Sequence, residues 1–191
     1  MNILLYGIQG SGKSTQGKLL AQHLHLPYLS TGHIFRDMAK EASREGRYIK
    51  ETLAAGLLVP DEIVIPIIEK YLGRAEYKKG WILDGFPRTI FQAEKFKTKI
   101  DVAFYLLVPD KEALWRLSFR MGPKGEIRED ETLMAIRKRI DLFHKATEPV
   151  LEYYRKRDLL VEINGEKKVE EICEDLIGKI RWYQKGNENK R

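Results

Sequence analysis

Gly7-Ile8-Gln9-Gly10-Ser11-Gly12-Lys13-Ser14-Thr15 decides how the whole chain is read. It is a complete GxxxxGK[ST] phosphate loop. Asn2-Ile3-Leu4-Leu5-Tyr6, an apolar run of strand length, precedes it, and Lys18-Leu19-Leu20-Ala21-Gln22-His23-Leu24 continues it as a helix. Strand, glycine loop and helix form the context that this motif requires. Glycines let the backbone curl so that successive N–H groups face one anion. The helix amino end adds positive potential, and Lys13 adds a mobile point charge. A ligand carrying a polyphosphate is what such a loop accepts.

The rest of the chain sets limits on what surrounds this loop. Its 191 residues, 43% hydrophobic, suffice for one sizeable core with small insertions but not for two large domains. The formal net charge of +6 favours anionic partners without choosing among them. The single cysteine, Cys173, falls at helical spacing with Val169, Ile172, Leu176, Ile177 and Ile180, which reads as a small core residue. One cysteine permits neither a disulfide framework nor a four-thiol zinc site within the chain. No basic segment leads into a signal-length apolar run, and no apolar stretch is long enough to cross a bilayer. A cytoplasmic protein without membrane attachment is expected.

Short apolar runs alternate with amphipathic stretches along the chain. The strand candidates are Ile3 to Tyr6, Pro27 to Leu29, Trp81 to Leu83, Val102 to Val108 and Leu160 to Ile163. Helical spacing covers Lys13 to Leu24, Ile34 to Ala42, Asp61 to Leu72, Ile90 to Phe96, Lys111 to Phe119, Glu131 to Tyr154 and Val169 to Trp182. The alternation predicts an α/β fold, with parallel strands joined by helical crossovers and the ligand at the strands' carboxyl ends. Gly7 and Asp84 both fall there. The polar tail from Lys185 to Arg191 is expected to fray.

Two segments interrupt the alternation. Ser30 to Val59 has helical patterns and no further strand before Trp81, so it reads as an inserted cap. Pro60 and Asp61 then restart a helix, with Asp61 as the candidate cap. Met121-Gly122-Pro123-Lys124-Gly125-Glu126-Ile127 carries turn residues between two helices, and its spacing fits a short flap or an ordinary loop equally. Arginines gather around it. Arg116 and Arg120, four apart, share a helix face, Arg128 follows the turn and Arg139 lies deeper in the next helix. Leu83-Asp84-Gly85-Phe86-Pro87-Arg88-Thr89 is the third signal. A carboxylate at a strand tip beside a phosphate loop suits the water shell of Mg²⁺, Gly85 permits close backbone approach, and Arg88 offers a planar fork for phosphate.

Taken together, Gly7 to Gln16, Ser30-Thr31-Gly32 with Arg36, Gly56 to Val59 followed by Asp61-Glu62, and Asp84 to Thr89 with Gln92 resemble the adenylate kinases. So does the arginine set Arg116, Arg120, Arg128 and Arg139. The resemblance runs from Met1 to about Ile180, and its DGFPRT run is far more specific than the phosphate loop. It implies a P-loop NTPase fold with five parallel strands, the first in the middle. It also implies a kinase core over 1–29, 60–120 and 132–191, an NMP-binding insertion over 30–59 and a short lid over 121–131. The implied reaction converts ATP plus AMP to two ADP in the presence of Mg²⁺. No structural zinc is expected, because the lid segment has no cysteine.

The resemblance also implies roles. Gly10, Ser11, Gly12, Lys13, Ser14 and Thr15 would wrap the ATP phosphates, with Arg116 and Lys167 on the side of the base and ribose and Asp84 at the metal. Arg120 and Lys13 would meet the phosphates during transfer. Thr31, Leu57, Leu58, Val59, Gly85, Phe86, Pro87 and Gln92 would form the AMP pocket, and Arg36, Arg88, Arg128 and Arg139 the clamp on its phosphate and the migrating group. Asp130 and Glu131 match an acidic pair in the family's lid. Three positions depart from the family pattern: His33 stands for a usual aspartate, Ser14 for a glycine and Gln9 for a proline. His33 bears on the metal shell or is a surface histidine at a helix start. A UMP/CMP kinase, a nucleotide sensor without catalysis and a basic nucleic-acid module are the rivals. The excess basic residues gather at phosphate motifs without interleaved aromatics, which disfavours nucleic acid. A monomer is expected, with ATP, AMP and ADP as its small-molecule partners.

Overall fold

Five short strands carry apolar side chains on both pleat faces, which commits them to the middle of a sandwich. A computed structural model describes residues 1–118 and 132–188. The strands β1 (Asn2–Tyr6), β2 (Tyr28–Ser30), β3 (Trp81–Asp84), β4 (Val102–Leu107) and β5 (Leu160–Asn164) form one parallel sheet in the order β2-β3-β1-β4-β5. β1 is central, as the family resemblance implies.

Because successive side chains alternate across a strand, the sheet sorts itself into two cores. Leu4, Tyr6, Trp81, Leu83, Ala103 and Tyr105 face one way, while Ile3, Leu5, Ile82, Val102, Phe104 and Leu106 face the other. The first set packs against α2 (Thr31–Met38), α3 (Arg44–Ala54), α4 (Asp61–Leu72), α5 (Ile90–Lys95) and α8 (Glu148–Arg155). The second packs against α1 (Lys13–Leu24) and α9 (Val169–Glu188). Leu117 of α6 (Asp110–Ser118) makes a small satellite cluster with Ile136 and Ile140 of α7 (Leu133–Leu142).

Several boundaries differ from expectation for identifiable reasons. The insertion holds two helices. α2 starts at Thr31, and Ser43 opens α3 by accepting a hydrogen bond from Gly46 N at 2.9 Å. The stretch read as one helix from Glu131 to Tyr154 is three pieces, α7, a π-helical turn over Phe143–Thr147, and α8. Pro149, near the start of α8, has no N–H to give the carbonyl four residues back, and the widened turn precedes it. α9 runs past Trp182 to Glu188, into the tail expected to fray. Cys173 is half-buried at the border of the α9 stripe rather than in the core, and burial pushes its thiol pKa up. Among the described residues no helix is long and apolar enough to cross a membrane.

His144, on the π turn, ties two helix starts together. Its Nδ1 lies 2.6 Å from Glu148 Oε1 and its Nε2 3.0 Å from Asp110 Oδ1. The Glu148 hydrogen bond leads in raising the imidazole pKa, with Asp110 adding to it. A raised folded-state value means that the stabilisation is complete below the unfolded pKa of about 6.5 and fades as pH rises through the folded value. His144→Ala is therefore expected to lower the melting temperature more at pH 5.5 than at pH 9. Equal losses at both pH values would show that the ion pairs contribute nothing.

Candidate active site

The phosphate loop emerges from β1 and closes on itself. Ser11 N donates to Ile8 O at 3.1 Å, and Thr15 and Gln16 N both donate to Gly12 O at 3.0 Å. Gly12 caps α1 at φ +92 with no side chain accepting from the helix, and no acidic residue lies in the first turn. Elsewhere Ser43, Thr89 and Thr132 supply side-chain caps to α3, α5 and α7. The start of α1 thus keeps its N–H groups and positive potential for an anion. Lys13 arches over the loop, donating to Gly7 O at 2.6 Å and Ile8 O at 2.8 Å.

At the tip of β3, Asp84 is buried and hydrogen-bonded. Ser14 Oγ donates to its Oδ2 at 3.1 Å and the Tyr28 phenol donates to the same oxygen at 2.7 Å. Burial first, then Asp84, push the Tyr28 phenol pKa well above its ordinary value. Thr31 Oγ1 lies within bonding distance of Asp84 O at 3.2 Å and Gly85 O at 3.0 Å, fixing the strand exit. Gly85 has φ +86, and a β-carbon there would meet Thr31 Oγ1 at 2.5 Å and Arg88 Nη2 at 2.8 Å. Only glycine lets Arg88 fold back so that its Nε donates to Gly85 O at 2.7 Å.

Arg88 is held by its main chain as well. Its N donates to Gln92 Oε1 at 2.6 Å, and its carbonyl accepts from Thr147 Oγ1 on the π turn at 3.1 Å. Gln92 is in turn gripped by Asp61, whose Oδ1 accepts from Gln92 Nε2 at 2.6 Å while Oδ2 accepts from Thr89 Oγ1 at 3.0 Å. Asp61 therefore does not cap α4 as expected. Pro60 occupies the cap position, and the carboxylate orients the segment that carries Arg88. Burial lowers the Arg88 guanidinium pKa, Asp84 opposes that, and the nearby Arg139 and Arg36 lower it further. Arg139 and Arg36 thus lie close enough to repel the Arg88 charge, an arrangement that suits an anion.

Arg139 reaches from α7 to two other parts of the site, donating to Gln9 Oε1 at 3.2 Å and to Leu53 O of α3 at 2.7 Å. On the other side, Arg116 Nη1 donates to Gly165 O at 2.9 Å, and its Nε pairs with Glu112 at 2.7 Å. Lys167 pairs with Asp175 at 2.6 Å at the rim.

The phosphate loop, Asp84 and the basic side chains line one cavity of about 610 Å³. Of the expected site residues, Gly10 to Thr15, Arg36, Leu57, Leu58, Asp84, Gly85, Arg88, Arg116, Arg139 and Lys167 are on its wall. Thr31, Val59, Phe86 and Gln92 are buried one layer behind it. Pro87 also lies off the wall, and His33 is exposed away from it. Arg120, Arg128, Asp130, Glu131 and the expected lid lie outside the described residues. Sequence reasoning assigned no task to Tyr28, Trp115, Phe143 or Thr147. A tyrosine at a strand start and an aromatic on a helix face read as core, so only their long-range contacts mark them.

A family model described as adenylate kinase matches residues 5–159. The chain is 34% identical to an adenylate kinase of Acetivibrio thermocellus, covering 94% of this chain and 98% of that protein. It is 36% identical to adenylate kinases of Methanocella arvoryzae and Methanosarcina barkeri, covering 95% and 96% of this chain and 99% and 100% of theirs. The Acetivibrio alignment runs over 212 positions, more than the 191 residues of this chain, so that relative carries residues this one lacks.

Proposed function

The chain belongs to the adenylate kinase family, and on that premise we propose how its residues move the terminal phosphoryl group of ATP to AMP, giving two ADP. Residues 1–29, 60–120 and 132–191 are the kinase core, 30–59 the NMP-binding insertion and 121–131 a short lid. Gly10 to Thr15 wrap the ATP phosphates, with Arg116 and Lys167 beside base and ribose. Leu57, Leu58 and Gly85 form the AMP pocket, backed by Thr31, Val59, Phe86, Pro87 and Gln92. Arg36, Arg88 and Arg139 clamp the AMP phosphate, and Arg120 and Arg128 join Lys13 at the migrating group.

The observation that carries this reading is the convergence of Lys13, Arg36, Arg88 and Arg139, from four separate elements, on one cavity with the phosphate loop. An AMP phosphate oxygen is already an anionic nucleophile, so the reaction needs no general base. What it needs is a way to hold two polyanions end to end, and fixed guanidinium groups supply that by position and charge. Leu53, Leu57, Leu58, Leu117 and Phe143 give the wall apolar surface that excludes water from the transfer.

Adenylate kinases use ATP with Mg²⁺, and the residues present fit that ion. A hard cation wants oxygen ligands and keeps most of its waters, and the buried Asp84 carboxylate with the Ser14 hydroxyl offers oxygens alone. When bound, Mg²⁺ would neutralise charge developing on the phosphates during transfer. Asp84 and Ser14 would orient its water shell. A cytoplasmic monomer without structural zinc completes the proposal.

A steady-state panel of AMP, UMP, CMP and GMP with ATP tests the reading. AMP is expected to exceed the pyrimidine acceptors in kcat/KM by at least about 100-fold, a floor below the roughly 10⁴ to 10⁵ that a built hydrogen-bonding site can reach. A preferred pyrimidine acceptor would make the chain a UMP/CMP kinase, and ATP binding without ADP formation would make it a sensor.

A further inference from the structure

Tyr28 opens the edge strand β2, yet its phenol crosses to the carboxylate at the tip of β3 and donates to Asp84 Oδ2 at 2.7 Å. The ring can reach that far because it lies over Gly17 of α1. A β-carbon at Gly17 would meet Tyr28 Cε2 at 2.3 Å and Cδ2 at 2.8 Å. Glycine inside a helix costs about 1 kcal/mol relative to alanine. α1 gives up that stability at the one place that admits the ring. Ser14 Oγ donates to the same Asp84 oxygen at 3.1 Å, from the first turn of that helix.

We propose that Tyr28 is a positioning residue for the magnesium shell: with Ser14 it pins Asp84 Oδ2, turning Oδ1 to the metal-bound water. The proposal rests on the assignment of Asp84 to that shell. Both hydrogen bonds found on the carboxylate among the described residues end on Oδ2. The phenol hydroxyl reaches the carboxylate as a hydrogen-bond donor. A charge-assisted hydrogen bond of this kind fixes the carboxylate plane before the metal arrives. Outer partners that orient a metal's carboxylate commonly change metal affinity 10- to 100-fold when removed.

A merely structural Tyr28 would tie β2 to its neighbours and leave metal affinity alone. Tyr28→Phe separates the two roles, since it keeps the ring over Gly17 and the strand pairing and removes only the hydroxyl. Mn²⁺ titration of the enzyme–ATP complex, read as free Mn²⁺ by EPR, is expected to show about tenfold weaker binding. ATP affinity in EDTA and KM for AMP are expected to stay within twofold. Asp84→Asn serves as the reference. If it weakens Mn²⁺ binding and Tyr28→Phe stays within twofold of wild type, the role given to Tyr28 is wrong while the metal site stands. If Asp84→Asn leaves Mn²⁺ binding unchanged, the metal assignment fails, and this inference with it. Should Tyr28→Phe not fold, Gly17→Ala takes its place. It displaces the ring while keeping the hydroxyl, and the same two outcomes decide.

Discussion

Lys13→Met is expected to lower kcat by about three orders of magnitude, roughly 4 kcal/mol of transition-state stabilisation, and to leave the melting temperature within a few degrees of wild type. The reason lies in where the ammonium sits. It donates to carbonyl oxygens of the loop itself, Gly7 at 2.6 Å and Ile8 at 2.8 Å, and to Ser11 Oγ of the same loop at 3.4 Å. They tie the lysine to the phosphate loop and not to the hydrophobic cores, so losing them leaves the fold's main support intact. Methionine retains length and helix propensity, which isolates the charge. In a water-excluded cavity a positioned cation stabilises developing phosphate charge far more than it could in bulk solvent. A coupled assay of ADP formation reads the result directly. A loss smaller than about tenfold would mean that the loop binds without taking part in transfer.

The architecture is legible in the sequence because the central strands β1, β3 and β4 are buried on both faces. A run such as Val102 to Leu107 must be apolar throughout, and such runs stand out between amphipathic helices. Each strand end falls within two residues of its expected place. α1 and α4 match their expected bounds, since a glycine loop and a proline mark their starts. Less legible is whatever depends on a distant partner. The π turn over Phe143–Thr147 leaves the apolar spacing almost unchanged, and its contribution to the site, the Thr147 bond to Arg88, spans 59 residues. Asp61 reads as a helix cap because aspartate at a helix start usually is one. Its grip on Gln92, across 31 residues, appears only once α4 and α5 are side by side.

The candidate site divides in the same way. The residues of the phosphate loop and of the DGFPRT run are visible from spacing, since each run constrains its own geometry. The cations arrive separately, and only the fold brings Arg36 of α2, Arg88 of the β3 exit and Arg139 of α7 to one cavity. Tyr28 and Gly17 illustrate the remainder. Each is unremarkable in the sequence, and only together do they show that a helix has left room for a ring bound to Asp84.

Arg88→Ala is expected to cut turnover by 10³ to 10⁵, about 4 to 7 kcal/mol, the range seen for one arginine at a transferring phosphoryl group. The fold should survive, and the directions of the interactions say why. The bonds that hold this segment, Arg88 N to Gln92 and Thr147 to Arg88 O, belong to the main chain and remain in alanine. Among the described residues the side chain contributes one bond, from Nε to Gly85 O. Against that bond and the attraction of Asp84 stand burial, the largest effect, and the repulsion of Arg139 and Arg36, and the balance lowers its pKa and makes the folded state a poor host for its charge. Removing the guanidinium relieves that repulsion, so the melting temperature is expected to stay level or rise as activity collapses. Arg88→Lys should restore the charge but not the planar fork, recovering only part of the rate. Calorimetry beside single-turnover kinetics separates the two quantities. A stable Arg88→Ala enzyme with turnover within tenfold of wild type would remove Arg88 from the clamp. An inactive but strongly destabilised one would show that its charge supports the fold instead.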